Sequence, residues 1–356
     1  MILLYYTCNT CDNNDVFMNS TFDDHNIQEI TAIEADHLTK VYRDNIRAVD
    51  EISFSVKQGE IFGLLGPNGA GKTTTIKMII TLTKANSGTL HVLGVDVFKS
   101  PETVREMLGY VPQSISVDTD LTAYENLLIF SKLSYVNKME RNERIRDALE
   151  YMDLSSRAND LVKRYSGGMM RRLEIAQALV NRPKILLLDE PSIGLDPSSK
   201  KQVWKNIKQL NQEFGVTILI TTHDMSEADE LCDRIAIMSE GKIAILGTPE
   251  ELKRDVGGDI VTVNLASTPP IMTLPKEIGN VIHSDEKSIQ ILTTNGEEAI
   301  PLIADFFRGH EIKVESISIN KANLDDVFMK YAKRRLGDEM YKATRRTRRD
   351  FVRRAR

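Results

Sequence analysis

The chain has 356 residues, 41% of them hydrophobic and 27% charged, with a formal net charge of −5. That is room for one large domain and a smaller one, each with a buried core, and the charge balance gives no global sign of nucleic-acid binding. No run approaches the roughly 18–20 continuous apolar residues that a membrane-spanning helix needs.

Residues 1–30 are polar, lack periodicity and are acidic through Asp12, Asp15, Asp23 and Asp24, with no Lys or Arg before Lys40. They read as a flexible N-terminal extension. Cys8 and Cys11 form a lone C-x-x-C; without a second ligand pair this falls short of a structural zinc site and reads as two free thiols in a reducing setting.

From about Ile30 to Lys253 the pattern is α/β. Glu60–Leu65 predicts a strand ending at a Gly-rich turn, and Lys72–Ile80 the helix that follows. The turn, Gly66-Pro67-Asn68-Gly69-Ala70-Gly71-Lys72-Thr73, followed by Thr74, fits G-x-x-x-x-G-K-[ST] between strand and helix, the context that identifies a P-loop. Its glycines let backbone N–H groups converge on phosphate oxygens at a helix N-terminus. Lys72 is expected to reach the β- and γ-phosphates, and the Thr73 hydroxyl to bind Mg²⁺. A P-loop by itself says only that a nucleoside triphosphate is bound.

Gly88–Phe98 predicts a short β excursion and Leu108–Val111 a strand closed by Pro112. From Ser114 to about Arg164 the pattern turns helical: Thr122 and Glu125 make a capping box, and two apolar stripes follow at helical spacing. The α/β pattern then resumes with a helix from Gly168, strand Ile185–Leu188, a helix from Ser199, strand Val216–Thr221 and a helix from Ser226. Arg234–Gly247 predicts a hairpin turning at Glu240-Gly241. A second, α+β unit follows, with strands at Ile260–Leu265, Ser288–Thr293 and Ile312–Ile319 and helices at about Glu297–Arg308 and Asn323–Arg334.

The strand at 185–188 is continuously apolar, as in a parallel sheet buried on both faces, and ends in Asp189-Glu190. Ligand chemistry sits at the carboxyl ends of such strands. Asp189 is suited to hold Mg²⁺; Glu190, facing the other way, to polarise an attacking water. His223 follows the next strand and can contact a γ-phosphate. Ser166-Gly167-Gly168 opens a helix and makes a second anion-binding start on the same chain.

With these elements in place the sequence, over about residues 31–253, resembles the ABC ATPase family. Tyr165-Ser166-Gly167-Gly168-Met169 stands where that family has its signature. Gln113 resembles the Q-loop glutamine, Gly194-Leu195-Asp196 the D-loop, Thr222-His223-Asp224 the H-loop, and Tyr42 the aromatic that stacks on adenine. Tyr165 and Met169, where Leu and Gln are commoner, and the ending Asn323-Leu324-Asp325-Asp326-Val327-Phe328 are similar to the exporters of drugs, polysaccharides and lipids, the daunorubicin-resistance type among them.

The resemblance implies an α/β P-loop NTPase of ABC type, with a RecA-like core sheet, an antiparallel β subdomain and a helical subdomain, plus a small C-terminal α+β domain. The boundaries expected are 31–255 for the ATPase unit (helical part about 114–167), 258–336 for the accessory unit and 337–356 for a basic tail. It also implies an ATPase that uses ATP and Mg²⁺, pairs head to tail with a second ATPase subunit as a homodimer, and powers export through a separate membrane permease on the inner face of the cell membrane. Glu190 would activate water, His223 hold it, and Thr73, Asp189 and Gln113 arrange Mg²⁺, while Ser166 and Gly168 would serve the partner's nucleotide and Gly167 and Asp196 count among the nucleotide-binding residues. No nucleic-acid partner is expected. A soluble ABC ATPase acting on nucleic acid or the ribosome is the alternative, but the interval from P-loop to signature is too short for coiled-coil arms and only one ATPase unit is present. The tail, Lys342–Arg356, has eight basic residues and one acid; it reads as a solvated terminus or as a contact for anionic lipid headgroups.

Overall fold

The computed structural model describes residues 31–256, 258–266, 274–275, 278–285, 287–321 and 323–331. The N-terminal extension with Cys8 and Cys11, and the basic tail, lie outside them.

In chain order the elements are β1 (Thr31–Val41), β2 (Arg47–Lys57), β3 (Ile61–Leu65), α1 (Lys72–Ile79), β4 (Ser87–Val92), β5 (Val95–Asp96), α2 (Pro101–Met107), β6 (Leu108–Val111), α3 (Ala123–Leu133), α4 (Arg141–Tyr151), α5 (Gly167–Leu179), β7 (Ile185–Asp189), α6 (Pro197–Phe214), β8 (Thr217–Thr222), α7 (Met225–Leu231), β9 (Arg234–Ser239), β10 (Lys242–Gly247) and α8 (Pro249–Val256). The small unit adds β11 (Asp259–Leu265), β12 (Asn280–Ser284), β13 (Ser288–Thr293), α9 (Gly296–Gly309) and β14 (Val314–Asn320). Residues 324–331 are helical.

The central sheet runs β10-β9-β3-β8-β7-β6. From β9 to β6 all neighbours are parallel; only the β9–β10 hairpin is antiparallel. Strands β3, β7 and β8 are buried at every residue, which a parallel sheet covered on both faces requires. Alternate side chains divide between two cores. Ile61, Leu65, Leu186, Leu188, Ile218 and Ile220 enter one core with apolar residues of α5, α6 and α7, which continues into α3 and α4. Phe62, Leu64, Ile185, Leu187 and Leu219 face α1 and the antiparallel sheet β2-β1-β4-β5.

The capping box is present: Thr122 accepts from the Glu125 amide while Glu125 accepts from the Thr122 amide. Helix α6 starts two residues before the expected Ser199, because Pro197 is pre-set for a first helical position and Asp196 caps it. The third sheet, β12-β13-β11-β14, is antiparallel and buries one face against α9 through Val261, Val263, Ile291, Ile303 and Phe307. Its edge strand β12 is absent from the sequence reading; every residue in it is exposed, so no alternation of polarity marks it.

The helix after this sheet turns back onto the large unit. Leu324 and Val327, 1% and 0% exposed, enter the same apolar core as Leu252 of α8. Lys330 Nζ donates to Asp255 Oδ2 at 3.0 Å, and the Tyr331 hydroxyl to the same carboxylate.

Candidate functional site

The loop from β3 to α1 forms the floor of the site. Gly71 sits at φ +108°, and a Cβ there would lie 2.5 Å from the Ala48 carbonyl oxygen; only glycine suits both conditions. The β9–β10 turn braces the loop from the side, where Gly241 N donates to Ala70 O at 3.1 Å. Helix α1 therefore points its N-terminus, the positive end of its dipole, into the space above the loop.

Lys72 is 4% exposed. Its ammonium donates to the carbonyls of Gly66 (2.7 Å) and Pro67 (3.3 Å) and lies 3.4 Å from Glu190 Oε1. The Thr73 hydroxyl donates to Asp189 Oδ1 at 3.3 Å, and Asp189 also accepts a short hydrogen bond from Thr221 of the neighbouring strand.

Glu190 leaves the end of β7 with φ +49°, a left-handed backbone uncommon for a side-chain-bearing residue. Its amide is held by Thr221, through the carbonyl at 2.9 Å and the hydroxyl at 3.1 Å. So placed, its carboxylate meets three groups: Lys72, Gln113 Nε2 at 3.2 Å and His223 Nδ1 at 3.1 Å. Three residues far apart in sequence, one at the end of each of three elements, thus converge on one buried acid.

The cavity over the loop has a volume of about 610 Å³, within the range of small-molecule sites. Pro67, Asn68, Gly69, Ala70, Gly71, Lys72, Thr73, Thr74, Gln113 and Glu190 line it. Ile46, Arg47, Ala48 and Glu240 line it too; sequence reading missed them, since they arrive from a loop and a turn that carry no pattern of their own. Tyr42 is not in the lining. It is 42% exposed at the start of the β1–β2 connection, with the Lys40 ammonium 5.3 Å from its ring centre.

Ser166, Gly167, Gly168 and Asp196 are not in the lining either. They form a separate pair of helix starts. Ser166 caps α5 by accepting from Met169 N at 3.2 Å, and Asp196 caps α6 by accepting from Ser198 N and Ser199 N at 3.0 Å each. A Cβ on Gly168 would lie 2.5 Å from Ser199 Oγ, so the two starts are in close packing. Asp196 is held below the usual carboxylate range, first by its hydrogen bonds with Ser199. Among the described residues no cluster of three His, Cys, Asp or Glu side chains forms a metal site. A divalent ion at the cavity would rely on Thr73, Asp189 and Gln113 together with oxygens from a bound nucleotide; the adjacency of the Thr73 hydroxyl and the Asp189 carboxylate fits a hard cation.

Next to His223, Asp224 caps α7 and meets Lys200 Nζ at 2.8 Å. Burial pushes this carboxyl up, but hydrogen bonds from Lys200 and Ser226 outweigh it and bring it down to about 2. A carboxyl lower in the folded than in the unfolded chain stabilises the fold above its unfolded value, about 4, and loses that contribution as pH falls toward the folded value. The Asp224→Asn protein is therefore expected to lose part of the acid-dependent fall in unfolding free energy between about pH 4 and pH 2, about 1 kcal/mol because solvent screens this partly exposed pair. Urea unfolding followed across that window measures it; a pH slope equal to that of the original chain would refute it.

Residues 49–193 match the family described as ABC transporter, and residues 247–332 match the C-terminal domain of DrrA1-3-like ATP-binding proteins. The daunorubicin/doxorubicin resistance ATP-binding protein DrrA of Streptomyces peucetius is 38% identical over 310 residues, 85% of this chain and 93% of that protein. The linearmycin resistance ATP-binding protein LnrL of Bacillus subtilis is 36% identical over 312 residues, 86% of this chain and all of LnrL. Among solved structures, a dimeric ATP-binding cassette in a post-hydrolysis state with ADP and Pi superposes with a TM-score of 0.55 at 28% identity, covering 61% of this chain and 98% of its own.

Proposed function

The chain belongs to the ABC transporter family of ATP-binding proteins, and from that membership we propose that it is the motor subunit of an exporter, hydrolysing Mg-ATP between two copies of itself and driving a separate membrane permease. The observation that carries the chemical part is the Glu190 carboxylate held among Lys72, Gln113 and His223 at the mouth of the P-loop.

In this reading ATP lies over Gly66–Thr74 with its phosphates against the loop amides and the start of α1. Lys72 leaves its carbonyl partners and Glu190 for the β- and γ-phosphates, neutralising charge that builds as the terminal phosphoryl group departs. Glu190, released from the ammonium, accepts a proton from a water that His223 orients. Gln113, bonded to that acid, registers whether the γ-phosphate is there. Thr73, Asp189 and Gln113 would hold Mg²⁺, which when bound screens phosphate charge. Tyr42 stacks on the adenine.

Ser166, Gly168 and Asp196 stand outside the cavity of their own chain, and their helix starts suit an anion. They serve the nucleotide of the second copy, so that ATP joins the two. Binding favours the closed pair because only there does ATP contact both halves. The division into an ATPase unit over 31–255, an accessory unit over 258–336 and a basic tail that touches anionic lipid belongs to the same reading. So does placement at the inner face of the membrane, held there by the permease; no helix among the described residues is long and apolar enough to cross a membrane. Export is the direction because the relatives are named for drug resistance. The full-length chain, tagged and extracted in mild detergent from its own cells, is expected to co-purify with a polytopic membrane protein. Recovery with ribosomes or nucleic acid instead would replace this reading with the soluble alternative.

A further inference from the structure

One buried group of charges has no part in the chemistry above. Arg171 and Glu174 lie three residues apart on α5, hence on one face of the helix, and are 2% and 3% exposed. Arg171 Nη1 is 2.9 Å from Glu174 Oε2. The same guanidinium donates to the carbonyls of Pro112 and Gln113, both at 2.7 Å. Glu174 Oε1 accepts from the amide and the hydroxyl of Ser116, at 2.5 and 3.0 Å. Four hydrogen bonds of the pair therefore land on residues 112–116, the segment that leaves β6 and carries Gln113 to Glu190.

Burial pushes the Glu174 carboxyl up and the Arg171 guanidinium down, the signature of two charges taken out of water. Replacing a buried ion pair by apolar side chains of similar volume is often neutral or stabilising, so stability alone does not account for this one. What the pair supplies is direction. The planar fork of arginine fixes two successive carbonyls at once, and the carboxylate fixes the segment again three residues on. Both charges stand on the helix whose first turn carries Ser166, Gly167 and Gly168.

We propose that Arg171 and Glu174 are positioning residues that clamp the Gln113 segment to α5, so that the state of a chain's own phosphate site sets how that chain presents Ser166 and Gly168 to the nucleotide of the second copy. The second half of this statement rests on the two-copy reading above; the clamp itself is a property of a single chain.

The test uses the full chain. Arg171→Met combined with Glu174→Gln removes both charges, leaves no lone buried charge, and keeps an acceptor for Ser116. Arg171→Lys keeps the charge but replaces the fork by a point donor. For the double variant, nucleotide affinity and thermal midpoint are expected to match the parent. Its kcat, and in a Glu190→Gln background its ATP-driven pairing, are each expected to fall about tenfold, with Arg171→Lys between the two. In hydrogen exchange on the parent, Mg-ATP is expected to protect both residues 112–116 and the first turn of α5; in the double variant it protects only the former.

Parental kcat and pairing in the double variant, or protection of both segments, would overturn the clamp. So would a fall in midpoint matched by an equal loss of nucleotide affinity, which marks a pair that only holds the fold. If the double variant does not fold, Arg171→Lys carries the same comparison. If the parent itself fails to pair on ATP, the two-copy reading falls, and the exchange experiment on the single chain still decides the clamp.

Discussion

Replacing Glu190 by glutamine is expected to slow ATP turnover by about 10²- to 10⁴-fold, the contribution of a positioned general base, while leaving ATP bound. The amide keeps the shape and can still meet Gln113 and His223, but it cannot take a proton. It also cancels the charge that faces the Lys72 ammonium at 3.4 Å, so Lys72 is freer to move to phosphate. The combined result is a protein that binds well and hydrolyses poorly. It should accumulate as an ATP-bound pair of chains, visible as a doubling of mass by size exclusion with light scattering. Phosphate release at the parental rate would remove Glu190 from this role.

The Lys72→Ala protein should fail at the other step. A buried charge that loses its partner weakens binding by about 2–5 kcal/mol, or some 30- to several thousandfold in Kd. Lys72 is the one cation in the cavity lining that stands on the P-loop itself, and it is buried, so solvent does little to replace it. Titration with a fluorescent ATP analogue measures the loss. The pair of substitutions separates binding from chemistry: one raises Kd, the other lowers kcat at nearly constant Kd. A Lys72→Ala protein with parental affinity would show that the loop amides and the α1 dipole bind the phosphates alone.

Much of this site can be read from residue order, for definable reasons. The P-loop is local: the eight residues from Gly66 to Thr73 fix their own turn, and the strand and helix that flank it have clear periods. Asp189 and Glu190 follow a strand whose unbroken apolar run already implies burial on both faces. The convergence of Gln113 and His223 on Glu190 is less local. It depends on the strand order β3-β8-β7-β6, which sequence spacing suggests only through likeness to a family. The left-handed backbone at Glu190 leaves no trace in sequence at all, since glutamate does not favour it. Ile46, Arg47, Ala48 and Glu240 reach the cavity through long-range packing of loops. The second glycine of the signature is readable as an anion-binding feature; that it also makes room for Ser199 is visible only once α5 and α6 are packed together.

The return of residues 324–331 to the core beside α8 alters what the small C-terminal sheet is to the whole. It is not a pendant tied on by one thread. The chain enters it from α8 and comes back to the same place, so its two ends are stapled side by side on the body that carries the cavity. Shortening the protein just after β14 would do more than trim an accessory: it would strip Leu324 and Val327 from the seam and leave apolar surface of the ATPase unit facing water. A deletion of that kind tests folding first, and only an exchange of the loops and sheet between the two staples would ask what the unit is for.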